Sequence, residues 1–336
     1  MNHGTLKVPG ATLHHETRGS GPVLLLIPGG AGDAGIFAGM ADLLAMTGHT
    51  VVSYDPRGLS RSPLDGPVTD QLVREGSEDA ARLLDHLTPD REAYVFGSSS
   101  GAIVALDLLA RHPDRLRKVV AHEPPLLGLL TDPEPYRSLF AEVAELSRTA
   151  GSGPAMARFA EGFGAGPAEE PSAGREAKGA DGVGGAEEVT GKGEIAAVTE
   201  DSGAPEDSGV PKNSGVPKNS GVPENSRVPE SDVVRELPAS IREAAGRMMA
   251  NTPFFLERIL VPYSSSVPEV AGLRAAADKL VLGVGEESAG QPALAGPARR
   301  LAELTGAVEA TFPGGHIGCT ERPAEFAEVL LTVLRR

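Results

Sequence analysis

Residues 93–111 read AYVFGSSSGAIVALDLLAR, an apolar run, a glycine–serine turn and a second apolar stretch of different period. Ala93–Phe96 is short, apolar and closed by Gly97, the pattern of a buried strand. Ala102–Arg111 has helical spacing and stops at His112-Pro113, where His112 is expected to cap the helix end. The join between them, Gly97-Ser98-Ser99-Ser100-Gly101, fits G-x-S-x-G in a strand–turn–helix context. Such a turn is so tight that side chains at the two glycine positions would collide with neighbouring elements. The middle residue is then forced into a strained conformation that lifts its side chain above the sheet. Of the three consecutive serines only Ser99 has glycines at both ±2, so Ser99 is the candidate nucleophile.

Working outward, the same alternation recurs on both sides. Val23–Ile27 (VLLLI) runs into Pro28-Gly29-Gly30, Thr50–Tyr54 (TVVSY) into Asp55-Pro56-Arg57-Gly58, and Lys118–Ala121 (KVVA) into His122-Glu123-Pro124-Pro125. Helical patterns fill the gaps at Ile36–Met46 and roughly Leu72–Leu87. Late in the chain, Leu280–Gly283 and Val308–Phe312 read as strands, with helices over Ala293–Leu304 and Ala324–Leu334. Continuous apolar strands separated by amphipathic helices predict an α/β fold with a parallel sheet covered on both faces. Thr5–Val8 and Thr12–Thr17, around Pro9-Gly10, predict an antiparallel hairpin at the sheet edge.

The alternation breaks between about residues 124 and 275. Tyr136–Thr149 and Ser240–Met249 look helical. Between them, about 162–236, lies a low-complexity stretch with four hexads, DSGVPK, NSGVPK, NSGVPE and NSRVPE, over Asp207–Glu230. A six-residue period can build a β-helix, but only valine is available here to face a core, so the segment is predicted to be disordered. Gly (42) and Pro (28) exceed a fifth of the 336 residues, in keeping with such an insertion. The apolar residues flanking it, Leu139, Phe140, Met248, Met249, Phe254 and Phe255, are expected to form the core of a lid or to meet an apolar substrate group.

A serine hydroxyl needs a base. His316 lies in Pro313-Gly314-Gly315-His316-Ile317-Gly318, between the last strand and the last helix, where a glycine-rich loop can reach over the sheet edge to Ser99. The other histidines suit the role less: His3 is near the start, His14 and His15 are on the edge hairpin, and His86 and His112 are at helix ends. Negative charge developing on a substrate oxygen calls for backbone N–H donors. These are expected from Ser100, which opens the helix, and from Gly30, with Ala31 as second choice, because Pro28 has no N–H.

A formal charge of −15 without a basic run speaks against nucleic-acid binding. One cysteine, Cys319, excludes an internal disulfide and a cysteine-based metal site. No metal cluster and no dinucleotide fingerprint is visible, so no cofactor is expected. Met1–Val8 has neither the basic nor the apolar part of a signal peptide, and Val23–Ile27 is too short to span a bilayer. The expectation is a soluble, cytoplasmic protein without membrane association that acts on a small molecule with an apolar part; its oligomeric state is left open.

Taken together, Ile27-Pro28-Gly29-Gly30, Tyr54–Ser62 (YDPRGLSRS), the Ser99 turn, Arg111-His112-Pro113-Asp114-Arg115 and Pro313-Gly314-Gly315-His316 resemble the α/β-hydrolase superfamily. The likeness is to its branch of single-chain esterases, C–C hydrolases and iminopeptidases, over about residues 5–125 and 275–335. The resemblance implies a mostly parallel eight-stranded sheet. Core segments at 1–124 and 276–336 would flank a helical lid at 125–275 that carries the disordered insertion. It also implies a Ser–acid–His triad. The family's usual acid follows the strand here written Leu280–Gly283, in a G-x-x-D pattern, but Ser288 stands at that place, with Glu286 and Glu287 beside it. Some branches put the acid at the end of the preceding strand, where Glu123 lies, so Glu123 is the expected acid and Glu287 the alternative. Serine at the turn sets the chain apart from relatives with an aspartate nucleophile. The implied reaction is hydrolysis of a carboxylic ester, lactone or thioester. C–C bond hydrolysis, iminopeptidase activity and cofactor-free haloperoxidase-like chemistry are alternatives on the same residues, and so is a non-catalytic small-molecule receptor.

Overall fold

The computed structural model describes residues 1–162 and 239–336, with side chains from 242 onward in the second segment. The predicted insertion and its hexads lie outside the described residues. Among the described residues the sheet has eight strands in the order β1-β2-β4-β3-β5-β6-β7-β8. β1 (Asn2–Val8), β2 (Ala11–Gly19) and β4 (Thr50–Tyr54) pair antiparallel. From β4 through β3 (Val23–Ile27), β5 (Ala93–Ser98), β6 (Leu116–His122), β7 (Leu280–Gly285) and β8 (Val308–Phe312) every pairing is parallel.

The apolar runs at the centre of the sheet form strands because neither face meets water there. Side chains alternate faces along a strand. Accordingly Leu24 and Leu26 join a cluster with Phe37, Met40, Phe96, Phe312 and Phe326, whereas Val23, Leu25 and Ile27 join a second cluster with Leu83, Leu84, Leu106 and Leu301. The first cluster is closed by α1 (Ala38–Met46) and the second by α2 (Val73–Leu87) and α3 (Ser100–Arg111). Burying one leucine stabilises the fold by roughly 2 kcal/mol, so a polar residue anywhere in VLLLI would be costly. His112 is the residue that caps α3, as expected.

Between β6 and β7 the described chain is helical. It forms α4 (Glu134–Ala150), α5 (Ser152–Gly162), α6 (Ala239–Phe254), a π-turn at Phe255–Ile259, α7 (Leu260–Ser264) and α8 (Val270–Ala275). Leu127, Leu139, Phe140, Val143, Ala155, Leu256 and Leu260 make a third apolar cluster there. Two expectations fail at this point: Met248 and Met249 are 43 % and 72 % exposed and serve neither a core nor a cavity. They lie on the outward face of α6, whose inward face is carried by Arg247 and Asn251. The fold ends with α9 (Pro292–Thr305), α10 (Gly318–Glu321) and α11 (Pro323–Leu334). Among the described residues no helix is long and apolar enough to cross a membrane.

Candidate active site

Ser99 occupies the turn between β5 and α3 at φ 55°, ψ −123°. The left-handed region costs a residue with a side chain on the order of 1–3 kcal/mol, so the surroundings must hold it. They do so through the Ser99 amide, which donates to the His122 carbonyl at 2.9 Å, and through the Ser99 carbonyl, which accepts the Ala102 amide at 2.9 Å. Gly97 and Gly101 allow the bend, because a Cβ on Gly97 would lie 2.3 Å from the Gly101 oxygen.

Three side chains from distant parts of the chain meet here. His316 follows β8, and its Nε2 lies 2.9 Å from Ser99 Oγ. Its Nδ1 lies 2.7 Å from Glu123 Oε2. A carboxylate can only accept, so Nδ1 carries the proton and Nε2 is left to accept the Ser99 hydroxyl. Glu123 stands one residue past β6 at φ 48°, the same strained region as Ser99. Its amide donates to the Gly283 carbonyl, and its Oε1 accepts the Gly285 amide at 2.8 Å. The side chain is fully buried, which by itself would raise its pKa. The hydrogen bond from His316, the nearby imidazoles and the Gly285 amide more than offset this and hold the carboxyl below its usual value.

The alternative acid is elsewhere: Glu287 pairs with Arg322 at 2.8 Å. Ser288, at the family's usual acid position, is buried, and its hydroxyl has no hydrogen-bond partner among the described residues. Of the two expected backbone donors, Ser100 opens α3, where N–H groups lack helical partners. Gly30 differs from expectation. Its N–H donates to Ser100 Oγ at 2.9 Å, because that hydroxyl lies nearest to an otherwise orphaned amide.

Ser99, Ser100 and His316 open into a cavity of about 610 Å³ whose apolar wall includes Phe140, Phe159, Phe255, Leu260 and Leu294. Glu287, Gln291 and Glu321 form its polar side. Cys319 is buried, and burial pushes its thiol up to about 12, so it is no competing nucleophile.

Sequence reasoning missed the tie between α6 and the Gly30 loop. Asn251 Nδ2 donates to the Ala31 carbonyl and to Ser60 Oγ, and Asn251 Oδ1 accepts the Ser60 amide. One turn earlier Arg247 pairs with the buried Asp33, whose pKa the ion pair lowers despite burial. The available signal was Arg247 and Asn251, two polar residues four apart and so on one face of the helix.

The family model described as alpha/beta hydrolase fold matches residues 22–159. The chain is 52 % identical over 130 residues to the uncharacterized hydrolase YraK of Bacillus subtilis (strain 168), covering 39 % of this chain and 47 % of that protein. It is 34 % identical over 124 residues to a zearalenone hydrolase of Bionectria ochroleuca, covering 36 % and 47 %. The chain thus spans about half the length of the curated relatives it matches. A thermophilic esterase from Thermogutta terrifontis shares the fold at a TM-score of 0.63 and 16 % identity, over 100 % of this chain and 98 % of that one. The chain thus has the α/β-hydrolase fold, and its residues 22–159 match the model of that family.

Proposed function

We propose that the chain is a serine hydrolase that cleaves a carboxylic ester, lactone or thioester through an acyl-enzyme on Ser99. The observation that carries this reading is the continuous chain Ser99 Oγ–His316 Nε2 and His316 Nδ1–Glu123 Oε2, at 2.9 and 2.7 Å, opening into one apolar cavity. Ser99 Oγ attacks the substrate carbonyl carbon while His316 Nε2 takes its proton. Glu123 keeps the imidazole in the required tautomer and stabilises the imidazolium. The tetrahedral oxyanion is met by the Ser100 amide and, with the Gly30 amide engaged by Ser100 Oγ, by the Ala31 amide. Collapse expels the alcohol or thiol, which takes the proton from His316. Water then attacks the acyl carbon, giving up its proton to His316, which passes it to the departing Ser99 Oγ as the acid is released.

The helices between β6 and β7 serve as a lid in this reading, and the phenylalanines of the wall favour an aromatic or long alkyl group. The zearalenone hydrolase relative supports including zearalenone among the first substrates tried. The test is labelling by a fluorophosphonate probe together with a panel of esters and lactones. Wild type is expected to label and turn over, and Ser99→Ala to do neither. A folded wild type that stays unlabelled and inert at neutral pH overturns the proposal in favour of a binding protein.

A further inference from the structure

We propose that His3, His14 and Glu16 form a binding site for one zinc ion on the edge hairpin, remote from Ser99. The register places them together. His3 on β1 stands directly opposite Glu16 on β2, and His14 lies two residues before Glu16. With the period of two along a strand, all three side chains leave the same face. One ligand atom from each lies within 4.8 Å of the others. His3 Nδ1 and His14 Nε2 are each 3.9 Å from Glu16 Oε1.

Three features fit a metal better than a plain hydrogen-bond cluster. First, 3.9 Å is too long for a hydrogen bond, yet close to the roughly 3.3 Å that separates ligand atoms around a tetrahedral zinc with bonds near 2.0 Å. His3 is half exposed on its strand and is free to supply the shift. Second, His14 Nε2 is buried and has no hydrogen-bond partner among the described residues, although its position beside Glu16 Oε1 aims it at the same point. A coordinate bond would satisfy this orphaned atom. Third, Glu16 is held in place, as ligands usually are. Arg18 donates to Oε2 and Arg61 to Oε1, each at 3.0 Å, and a carboxylate oxygen accommodates a metal beside one donor.

Charge does not forbid the ion. Arg61 is itself gripped by both oxygens of Asp55, and Arg18 pairs with Asp42, so three carboxylates face two guanidinium groups. Two imidazoles and one carboxylate suit zinc rather than magnesium or calcium, which prefer oxygen ligands. Water would complete the coordination, because His3 faces solvent. The linear sequence concealed the site, since His3 and Glu16 become neighbours only when the hairpin closes.

The test is calorimetric titration of the full chain with zinc chloride, with magnesium chloride as control. One zinc per chain is expected, with no heat from magnesium. His3→Ala changes an exposed side chain and should leave the melting temperature in EDTA unaltered while weakening zinc at least tenfold. His14→Ala should abolish uptake, and His112→Ala, at the cap of α3, should leave it intact. No uptake by wild type at about 100 µM zinc overturns the proposal, as does uptake that survives His3→Ala unchanged. Binding through the Ser99–His316 cluster would give the second result. Since the readout is binding and not turnover, failure here leaves the hydrolase reading untouched.

Discussion

The hydroxyl of Ser100 accepts the Gly30 amide at 2.9 Å, so the residue after the nucleophile reaches back to the loop after β3. The bond occupies the very donor that the sequence assigned to a substrate oxyanion. It leaves the hydroxyl proton of Ser100 free, and that proton can point at an oxygen held beside Ser99. The side chain then acts as a donor polarised by Gly30, in addition to the Ser100 amide. Ser100→Ala should lower kcat by about tenfold or more with KM little changed, as losing a donor used only in the transition state does. Steady-state kinetics on the best ester of the panel decides this. An unchanged kcat would reduce the hydroxyl to a cap on the resting loop.

Glu123 and Glu287 separate cleanly by mutation. Glu123→Gln keeps an acceptor for the Gly285 amide but can present an N–H to His316, favouring the wrong tautomer. A drop in kcat of roughly 10²–10⁴ is expected with the melting temperature within a few degrees of wild type. Glu287→Gln loses only a half-exposed pair with Arg322, worth about 1 kcal/mol or less, and should keep turnover near the wild-type rate. Kinetics and thermal melts of both variants check this, and the reverse order of effects would move the acid to Glu287.

His122 gives the protein an acid-sensitive core. The ring is fully buried between Phe312 and Phe326, at 5.6 and 5.2 Å between centroids, and neither nitrogen finds a partner among the described residues. Burial pushes its pKa from 6.5 down to about 4. Between these values the unfolded chain binds a proton that the folded chain refuses, so stability falls as pH drops from about 6.5 towards 4. The full loss is on the order of 3 kcal/mol. His122→Leu should therefore flatten the melting temperature over that range relative to wild type. The lowered pKa of Glu123, to which His122 contributes, adds a further loss below about 4.5, so the comparison is read above that pH. Parallel pH profiles would refute the assignment.

What could be read from the sequence followed from local burial. Val23–Ile27 and Thr50–Tyr54 agree with the strands end to end, because runs of four or five consecutive core residues leave no other conformation economical; Val308–Phe312 agrees as well, although only Phe312 in it is buried. Glu123 stood out for a similar reason, as a charge at the end of a buried strand that has to meet a partner. The acid at the Ser288 place was missing in plain view, but that Glu123 faces His316 is a property of two loops 193 residues apart. The Asn251–Ala31 bond spans 220 residues, and nothing in a helix read alone says which loop lies against it. The Ser100–Gly30 bond was hidden differently. Both residues were named as backbone donors, but the side chain between them competes for one of those donors, and only the closed turn brings it within reach.

The last prediction concerns the turn itself. A Cβ on Gly101 would lie 2.3 Å from the Ile27 carbonyl oxygen and 2.6 Å from that of Pro28, both backbone atoms of the neighbouring strand end. Neither can rotate away, unlike the end of a flexible side chain. Gly101→Ala must therefore push α3 off β3 or open the turn that carries Ser99. Helix propensity acts in the opposite sense, since alanine exceeds glycine by about 1 kcal/mol inside a helix. The clash is expected to win, with a net loss of roughly 2–4 kcal/mol and almost no fluorophosphonate labelling of the folded fraction. Gly246→Ala is the matched control: it lies in α6 with nothing among the described residues within 4 Å of the added Cβ, and should be neutral or slightly stabilising. Denaturant melts and labelling of the two variants side by side test the argument. A stabilised, fully labelled Gly101→Ala would mean that the close approach of the helix to β3 is not what holds the nucleophile.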